Sequence, residues 1–280
     1  MSGTVVFVHA HPDDEALLTG GTIALLAASG RRVVLVTATD GAEGLASEDV
    51  ASGSTLARIR SEELAEAAAS LGVARSVQLG YPDSGLDGDA DCSAIDGAEF
   101  PFARTPVSEV ADRLVAILRE ERASVVVGYD RNGGYRHPDH LQVHRVTKRA
   151  ARIAGTPVYL EATLPREPLV WAVSIAYRVR WLVPQLGGLD PEVWRNSFTP
   201  RSEITDAVDV RPFVAVKRAA LRAHSSQVTA DEGLRTIDVL LRLPDFVFAR
   251  LMGTEWYVRA AQGAPAVGVG GSPLNIDGPS

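Results

Sequence analysis

Val5-Val6-Phe7-Val8-His9-Ala10-His11-Pro12-Asp13-Asp14-Glu15 decides how this chain is read: an apolar run that ends in an imidazole, a proline and three carboxylates. β-Branched and aromatic residues without strict alternation predict a parallel strand covered on both faces. Pro12 fixes φ and has no N–H, so the strand stops there. Residues 16–28 then carry the apolar spacing of a packed helix, with Asp13, Asp14 and Glu15 at its start. A carboxylate in that place caps free N–H groups and meets the positive end of the helix dipole. One cap needs one carboxylate, however, and capping gives no reason for a histidine two residues before the first acid. Open α/β sheets hold their ligands at the carboxyl ends of strands. The stretch therefore predicts a metal site at the end of a central strand.

Working outward, the same strand-then-acid pattern recurs. Residues 33–39 form a second buried run, followed by Asp40-Gly41-Ala42-Glu43-Gly44, a loop with two acids and glycines that permit positive φ. A helix is predicted over 55–71 with Gly72 as its C-cap, then a strand over 76–79 leading into Tyr81-Pro82-Asp83-Ser84-Gly85. Residues 86–103 read as an irregular loop, 107–122 as a helix and 124–128 as a fourth strand. That strand runs into Tyr129-Asp130-Arg131-Asn132-Gly133-Gly134-Tyr135-Arg136-His137-Pro138-Asp139-His140 and a helix to about residue 154, with a fifth strand over 157–161. Strand and helix in alternation predict a Rossmann-like, doubly wound, mostly parallel sheet.

Beyond about residue 165 the prolines at 165, 168, 184, 191 and 200 break up the apolar runs. Residues 217–224 and 238–248 read as helical there. The reading is one α/β core over 1–165, an irregular C-terminal portion over 166–260 that covers the site, and a loosely packed tail over 261–280 rich in Gly and Pro.

The composition narrows the function. Hydrophobic residues make up 46% and charged residues 22% of the 280 residues, ordinary for a globular protein. A net charge of −7 gives no electrostatic case for nucleic acid or an anionic membrane. The apolar stretch 169–182 is too short to span a bilayer and is interrupted by Arg178 and Arg180. No signal peptide is visible, so the expected location is the cytoplasm. Cys92 is the single cysteine, which rules out an internal disulfide and a thiolate zinc cluster. Any metal must be held by His and carboxylate. The sequence does not set the oligomeric state, and a homo-oligomer is compatible with it.

The histidines are His9, His11, His137, His140, His144 and His224. On a helix beginning at Pro138, His137 falls at the cap; 137 and 140 are one i,i+3 pair and 140 and 144 one i,i+4 pair, so either shares a face. His11 and Asp14 with one of these imidazoles make a set of two histidines and one carboxylate. Catalytic zinc takes three protein ligands and an open position; the same set holds non-haem Fe²⁺. A lone histidine is most often a hydrogen-bonded core side chain, but His-Pro-Asp occurs twice, each time after a strand.

His11-Pro12-Asp13-Asp14-Glu15 with the later His137-Pro138-Asp139-His140 resembles the LmbE-like, or PIG-L, family of zinc-dependent de-N-acetylases. Residues 39–44, Arg60-Ser61-Glu62-Glu63-Leu64 and 81–85 add to the likeness. Residues 132–135 and 217–227 resemble its mycothiol branch, which holds the N-acetylglucosaminyl-inositol deacetylase and the mycothiol-conjugate amidase. The likeness implies Zn²⁺ on His11, Asp14 and His140, with Asp13 as general base. It implies His137 and Tyr135 at the developing oxyanion, and Arg60, Asp83 and Glu43 as substrate contacts. Arg136 stands where that branch more often has Gly or Pro. His9 and His144 are read as structural.

The expected activity is hydrolysis of the amide of a small N-acylated amino sugar or its conjugate, in mycothiol metabolism or in natural-product biosynthesis. Two other readings compete. A nucleotide-binding Rossmann-type protein would place Gly20-Gly21 and Gly133-Gly134 near phosphates, but no G-x-G-x-x-G follows the first strand. A catalytically inactive LmbE-like binding module would have no reason to keep Asp13, Asp14, His137 and His140 together.

Overall fold

Strand β1 (Thr4–His9) lies at the centre of the sheet because all of its residues are apolar or hydrogen-bonded and every one is buried. The structure, a computed structural model, describes residues 3–42, 54–86, 100–178, 191–227 and 236–260. β1 pairs in parallel with β2 (Val33–Thr39) on one side and β4 (Ala123–Tyr129) on the other, so that Phe7 stands opposite both Leu35 and Val127. β3 (Arg75–Tyr81) extends the sheet beyond β2, and β5 (Val158–Thr163) extends it beyond β4, both in parallel.

Alternate residues of the strands feed two cores. Val5 and Phe7 face one layer, with α1 (Gly20–Ala28), α2 (Ser54–Ser70) and α8 (Val214–Ala223) packed on it. Val6 and Val8 face the other, covered by α3 (Val107–Glu120) and α5 (Pro138–Ala154). With strands buried on both faces, the near-continuous apolar runs are the pattern that this architecture demands.

The C-terminal portion contributes more order than its prolines suggest. After α6 (Arg166–Arg178) and α7 (Pro191–Arg195), strand β6 (Asp206–Asp209) pairs antiparallel with β7 (Thr254–Arg259), which pairs antiparallel with β5. Helices α9 (Thr236–Arg242) and α10 (Asp245–Met252) lead into β7, so the apolar run expected over 238–248 is two helices broken at Pro244. The seven-stranded sheet among the described residues has the order β3-β2-β1-β4-β5-β7-β6. The helix expected over 16–28 is also divided, into a π-helical turn (Glu15–Thr19) and α1. The expected tail over 261–280 lies outside the described residues. No helix among the described residues is long and apolar enough to cross a membrane.

Glu255 on β7 ties the C-terminal strands to the core. Its carboxylate accepts the N–H groups of Gly21 and Thr22, 2.8 Å each, and pairs with the buried Lys217 ammonium at 2.5 Å. A Cβ at Gly21 would fall 2.5 Å from the Cβ of Val210, so no other residue fits there. The two helix-start N–H groups that a phosphate would need are already taken by this carboxylate.

Candidate active site

The strand order reverses between β1 and β4, and it is there that open α/β sheets form a crevice beyond the strand ends. β1 delivers His11, Pro12, Asp13 and Asp14; β4 delivers the turn 130–134, the short helical turn α4 (Gly133–Arg136) and the start of α5; β3 delivers Asp83. Three segments far apart in sequence thus meet at one edge.

The β4 turn is built on Asp130. One carboxylate oxygen accepts the N–H groups of Asn132 (3.1 Å) and Gly134 (3.0 Å), the other the hydroxyls of Thr163 (2.5 Å) and Thr199 (2.9 Å). Gly133 donates to the Asp130 carbonyl at 2.9 Å. Both glycine N–H groups are therefore spent inside the protein, against a phosphate-binding role. Gly134 has φ +60° and the Phe198 ring beside it, with the Phe198 N–H on its carbonyl at 2.7 Å. Arg136 has φ +72°, the left-handed conformation that glycine adopts at least cost.

Pro138 starts α5 and His137 caps it, the His137 Nδ1 accepting the Asp139 N–H at 3.2 Å. In neutral His137 the proton is then on Nε2. Burial lowers its pKa to about 4, and His11 and His140 beside it act in the same direction, so His137 is a neutral donor at pH 7.

His11, Asp14 and His140 form a tight triangle. His11 Nδ1 is 3.3 Å from Asp14 Oδ2, His140 Nε2 is 3.4 Å from the same oxygen, and the two nitrogens are 3.3 Å apart. Ligand atoms about 2.0–2.1 Å from a tetrahedral ion lie roughly 3.3 Å from one another. The three side chains fit a zinc-like cation without rearrangement. His11 is turned for the task, because its Nε2 faces Asp139 Oδ2 at 3.1 Å and leaves the Nδ1 lone pair for a metal. Asp139 in turn accepts the Ser84 N–H at 3.0 Å, and the His140 ring stacks on Tyr129 at 4.2 Å. Wider groups around the same imidazole, His137 with His140 and Asp83 with Asp139, also gather within 4.8 Å. The smaller triangle is preferred, since its edges match the coordination geometry.

The electrostatics ask for a cation at this point. Burial opposes a charge on His11, yet Asp83, Asp139 and Asp14 push its pKa well above the usual imidazole range. Burial would raise Asp14, but His140 and His11 hold it well below the carboxylate range. Asp83, whose Oδ1 is 3.5 Å from His11 Nε2, is also held low, by His11 against its own burial.

Asp13 behaves differently. Burial raises its pKa to about 6, with Arg60 opposing and Asp14 reinforcing the rise. Its φ is +117°, a conformation costing on the order of 1–3 kcal/mol for a residue with a Cβ. Arg60, expected at the substrate, is buried: its guanidinium donates to the carbonyls of Pro12 and Gly41, 2.6 Å each, and to Asp13 Oδ2 at 3.2 Å. Tyr135 is half-exposed at the mouth, its ring edge-on to His140 at 5.0 Å and His137 at 5.9 Å. Glu43 lies outside the described residues.

His9 and His144 are structural, as expected. His9 Nε2 meets the Thr19 hydroxyl at 2.8 Å, and His144 Nδ1 faces the Tyr129 carbonyl at 3.1 Å. Sequence reasoning gave no role to Asp139, Tyr129 or the buried pair Glu15–His224; for Asp139 its place inside the second His-Pro-Asp motif was the available signal.

The family model for GlcNAc-PI de-N-acetylase, PIG-L, matches residues 6–151. The 1D-myo-inositol 2-acetamido-2-deoxy-alpha-D-glucopyranoside deacetylase of Rhodococcus erythropolis is 36% identical, with 98% of this chain and 96% of that one covered. Among solved structures, the N,N'-diacetylchitobiose deacetylase of Pyrococcus horikoshii superimposes with a TM-score of 0.57 at 26% identity, covering 92% of this chain and 83% of that one. A 4-carboxy-2-hydroxymuconate hydratase from Pseudomonas putida also shares the fold, with a TM-score of 0.58 at 17% identity over 96% and 100% of the two chains. The fold alone therefore does not specify a reaction.

Proposed function

The chain belongs to the PIG-L family of de-N-acetylases, and on that premise we propose a zinc-dependent N-deacetylase that hydrolyses the acetamide of a glucosamine joined to inositol or a similar polyol. The observation that carries this reading is the His11–Asp14–His140 triangle with Asp13 beside it but outside it. Bound to that triangle, zinc supplies Lewis acidity, lowering the pKa of water and polarising an amide carbonyl.

The remaining steps fall to the chain's own groups. Asp13, with a pKa of about 6, takes a proton from the attacking water and passes it to the leaving amine nitrogen. A base in this range is half-way between too weak to accept and too strong to release. His137 Nε2–H and the Tyr135 hydroxyl donate to the acyl oxygen as negative charge builds on it. Neutral His137 suits this, since its Nδ1 is committed to the Asp139 N–H and its Nε2 carries the proton. Asp83 and Glu43 accept sugar hydroxyls, and Arg60 serves the substrate indirectly by holding Asp13. A site that bonds hydroxyls rejects analogues lacking them, because buried polar groups are left unpaired.

The test is amine release by zinc-loaded protein from 2-acetamido-2-deoxyglucosyl-inositol, N-acetylglucosamine, acylated glycopeptide aglycones and simple acetamides. The inositol conjugate is expected to be the best substrate and the simple acetamides to remain intact. Preference for plain acetamides would remove the sugar assignment, and no amine release from any of them would remove the hydrolase.

A further inference from the structure

The C-terminal motif over 217–227 has no part in the chemistry above, yet its last residues are buried against the Asp13 turn. His224 ends α8 and is fully buried, its Nε2 2.7 Å from Glu15 Oε1. The other oxygen of Glu15 accepts the backbone N–H of Asp13 at 3.0 Å. We propose that His224 is a positioning residue for Asp13: through Glu15 it holds the backbone of the base in its left-handed conformation. The inference rests on the reading of Asp13 as general base.

Three observations support this. Asp13 has φ +117°, so its backbone persists only where the surroundings over-determine it. Its carbonyl is already fixed by the N–H groups of Ala16 and Leu17, 3.1 Å each, which leaves its N–H as the remaining handle, and Glu15 takes that handle. A buried carboxylate with one oxygen on an amide needs a partner for the other, and His224, brought from 209 positions away, is that partner.

The turn after His224 is fixed in the same manner. Glu63 accepts from the Ser225 hydroxyl (2.8 Å), the Ser226 N–H (2.7 Å) and the Ser226 hydroxyl (2.7 Å). Glu63 and Arg60 are three residues apart on α2, hence on one face. Arg60 holds the Asp13 carboxylate while the 224–226 segment holds its backbone, and α2 anchors both arms. His224 is too deeply buried to touch substrate.

The experiment uses full-length, zinc-loaded protein, the inositol conjugate as substrate, and the variants Glu15→Ala, His224→Ala, Glu15→Ala/His224→Ala and Glu15→Gln. Misplacing a reacting group by an ångström costs up to about 100-fold. Each alanine variant should lose about 10- to 100-fold in kcat with KM and zinc stoichiometry unchanged. The double variant should lose no more than the worse single one, since the pair acts as one arm. Glu15→Gln keeps an acceptor for the Asp13 N–H and turns its NH2 to His224 Nε2, whose proton then moves to Nδ1, and should lose no more than about threefold.

Wild-type kcat in the folded alanine variants overturns the proposal, as does a collapse of zinc content and KM together with kcat. A Glu15→Gln loss equal to that of Glu15→Ala overturns it as well, because shape alone would then not suffice. If His224→Ala does not fold, the comparison of Glu15→Gln with Glu15→Ala still decides. Asp13→Asn separates the two levels. An active Asp13→Asn variant removes the base and this proposal with it, whereas an inactive one beside fully active Glu15 and His224 variants removes this proposal alone.

Discussion

Asp13 and Asp14 are neighbours of the same type with opposite proton affinities, and the difference lies in what faces them. Two imidazoles hold Asp14 ionised, while burial raises Asp13 to about 6. Asp13→Asn should therefore abolish turnover, by about 10²–10⁴-fold, while zinc measured by elemental analysis stays near one per chain; loss of the metal would make Asp13 a ligand. The same shift fixes a pH dependence. A base works only when unprotonated, so kcat/KM should fall as pH drops through the pKa of Asp13. A cation beside it favours the carboxylate, so the acid limb should lie at about 6 or below and be absent from no active preparation. A limb well above 6 would assign it to another group. At this scale the motif residues were legible because chemistry-bearing types cluster at fixed spacing after a strand. Spacing alone could not choose between His140 and His144, and only the fold turns His144 to the Tyr129 carbonyl. Tyr129 and His224 meet residues brought to them by topology, which a linear reading does not contain.

Elements were legible in proportion to the uniformity of their surroundings. β1, β2 and β4 are buried on both faces, so their apolar runs announce them. β6 and β7 were not read: Asp206–Asp209 is only four residues long, and on Thr254–Arg259 the buried positions are Glu255 and Tyr257, so the inward face carries no apolar alternation to announce it. The π-helical turn was hidden because helical spacing of apolar residues survives one turn of altered winding. One junction is set by charge instead of apolar burial. Glu121, just past α3, accepts from Arg32 before β2 at 2.7 Å and from Arg75 at the start of β3 at 2.8 Å. Hydrogen bonds from Arg32 and Arg75 hold its pKa at about 2. Both arginines are partly solvent-exposed, so screening limits the contribution to about 1 kcal/mol. Glu121→Gln should lower stability by that amount at pH 7. The depressed pKa makes the contribution present above about pH 4.5 and lost as pH falls toward 2. Denaturant unfolding of both proteins at pH 7 and pH 3 checks this; a gap that widens on acidification would contradict it.

For the molecule as a whole, the sheet order places the ends of β1, β3 and β4 at one edge, and with them Asp13, Asp14, Asp83 and Asp139. Four buried or half-buried carboxylates within one crevice repel one another, and Arg60 offsets only part of that charge. The high proton affinity of His11 is the same demand expressed through a proton. A dication on the His11–Asp14–His140 triangle meets it in the folded state alone, because the unfolded chain separates the three ligands by up to 129 positions. Binding to the native state adds RT ln(1 + [L]/Kd) to stability, about 2.7 kcal/mol at a free metal concentration of 100 Kd and about 4.1 at 1,000 Kd. Chelation should therefore lower the thermal midpoint by several degrees, and added zinc should restore it in a concentration-dependent way. The His11→Ala/His140→Ala variant should show neither change, whereas Glu121→Gln should show both in full, since its lesion is at the opposite end of the strands. Scanning calorimetry with and without zinc measures this directly. A midpoint indifferent to zinc in the wild-type protein, or one that still responds when both histidines are gone, would place the metal elsewhere and dissolve the assignment of the triangle.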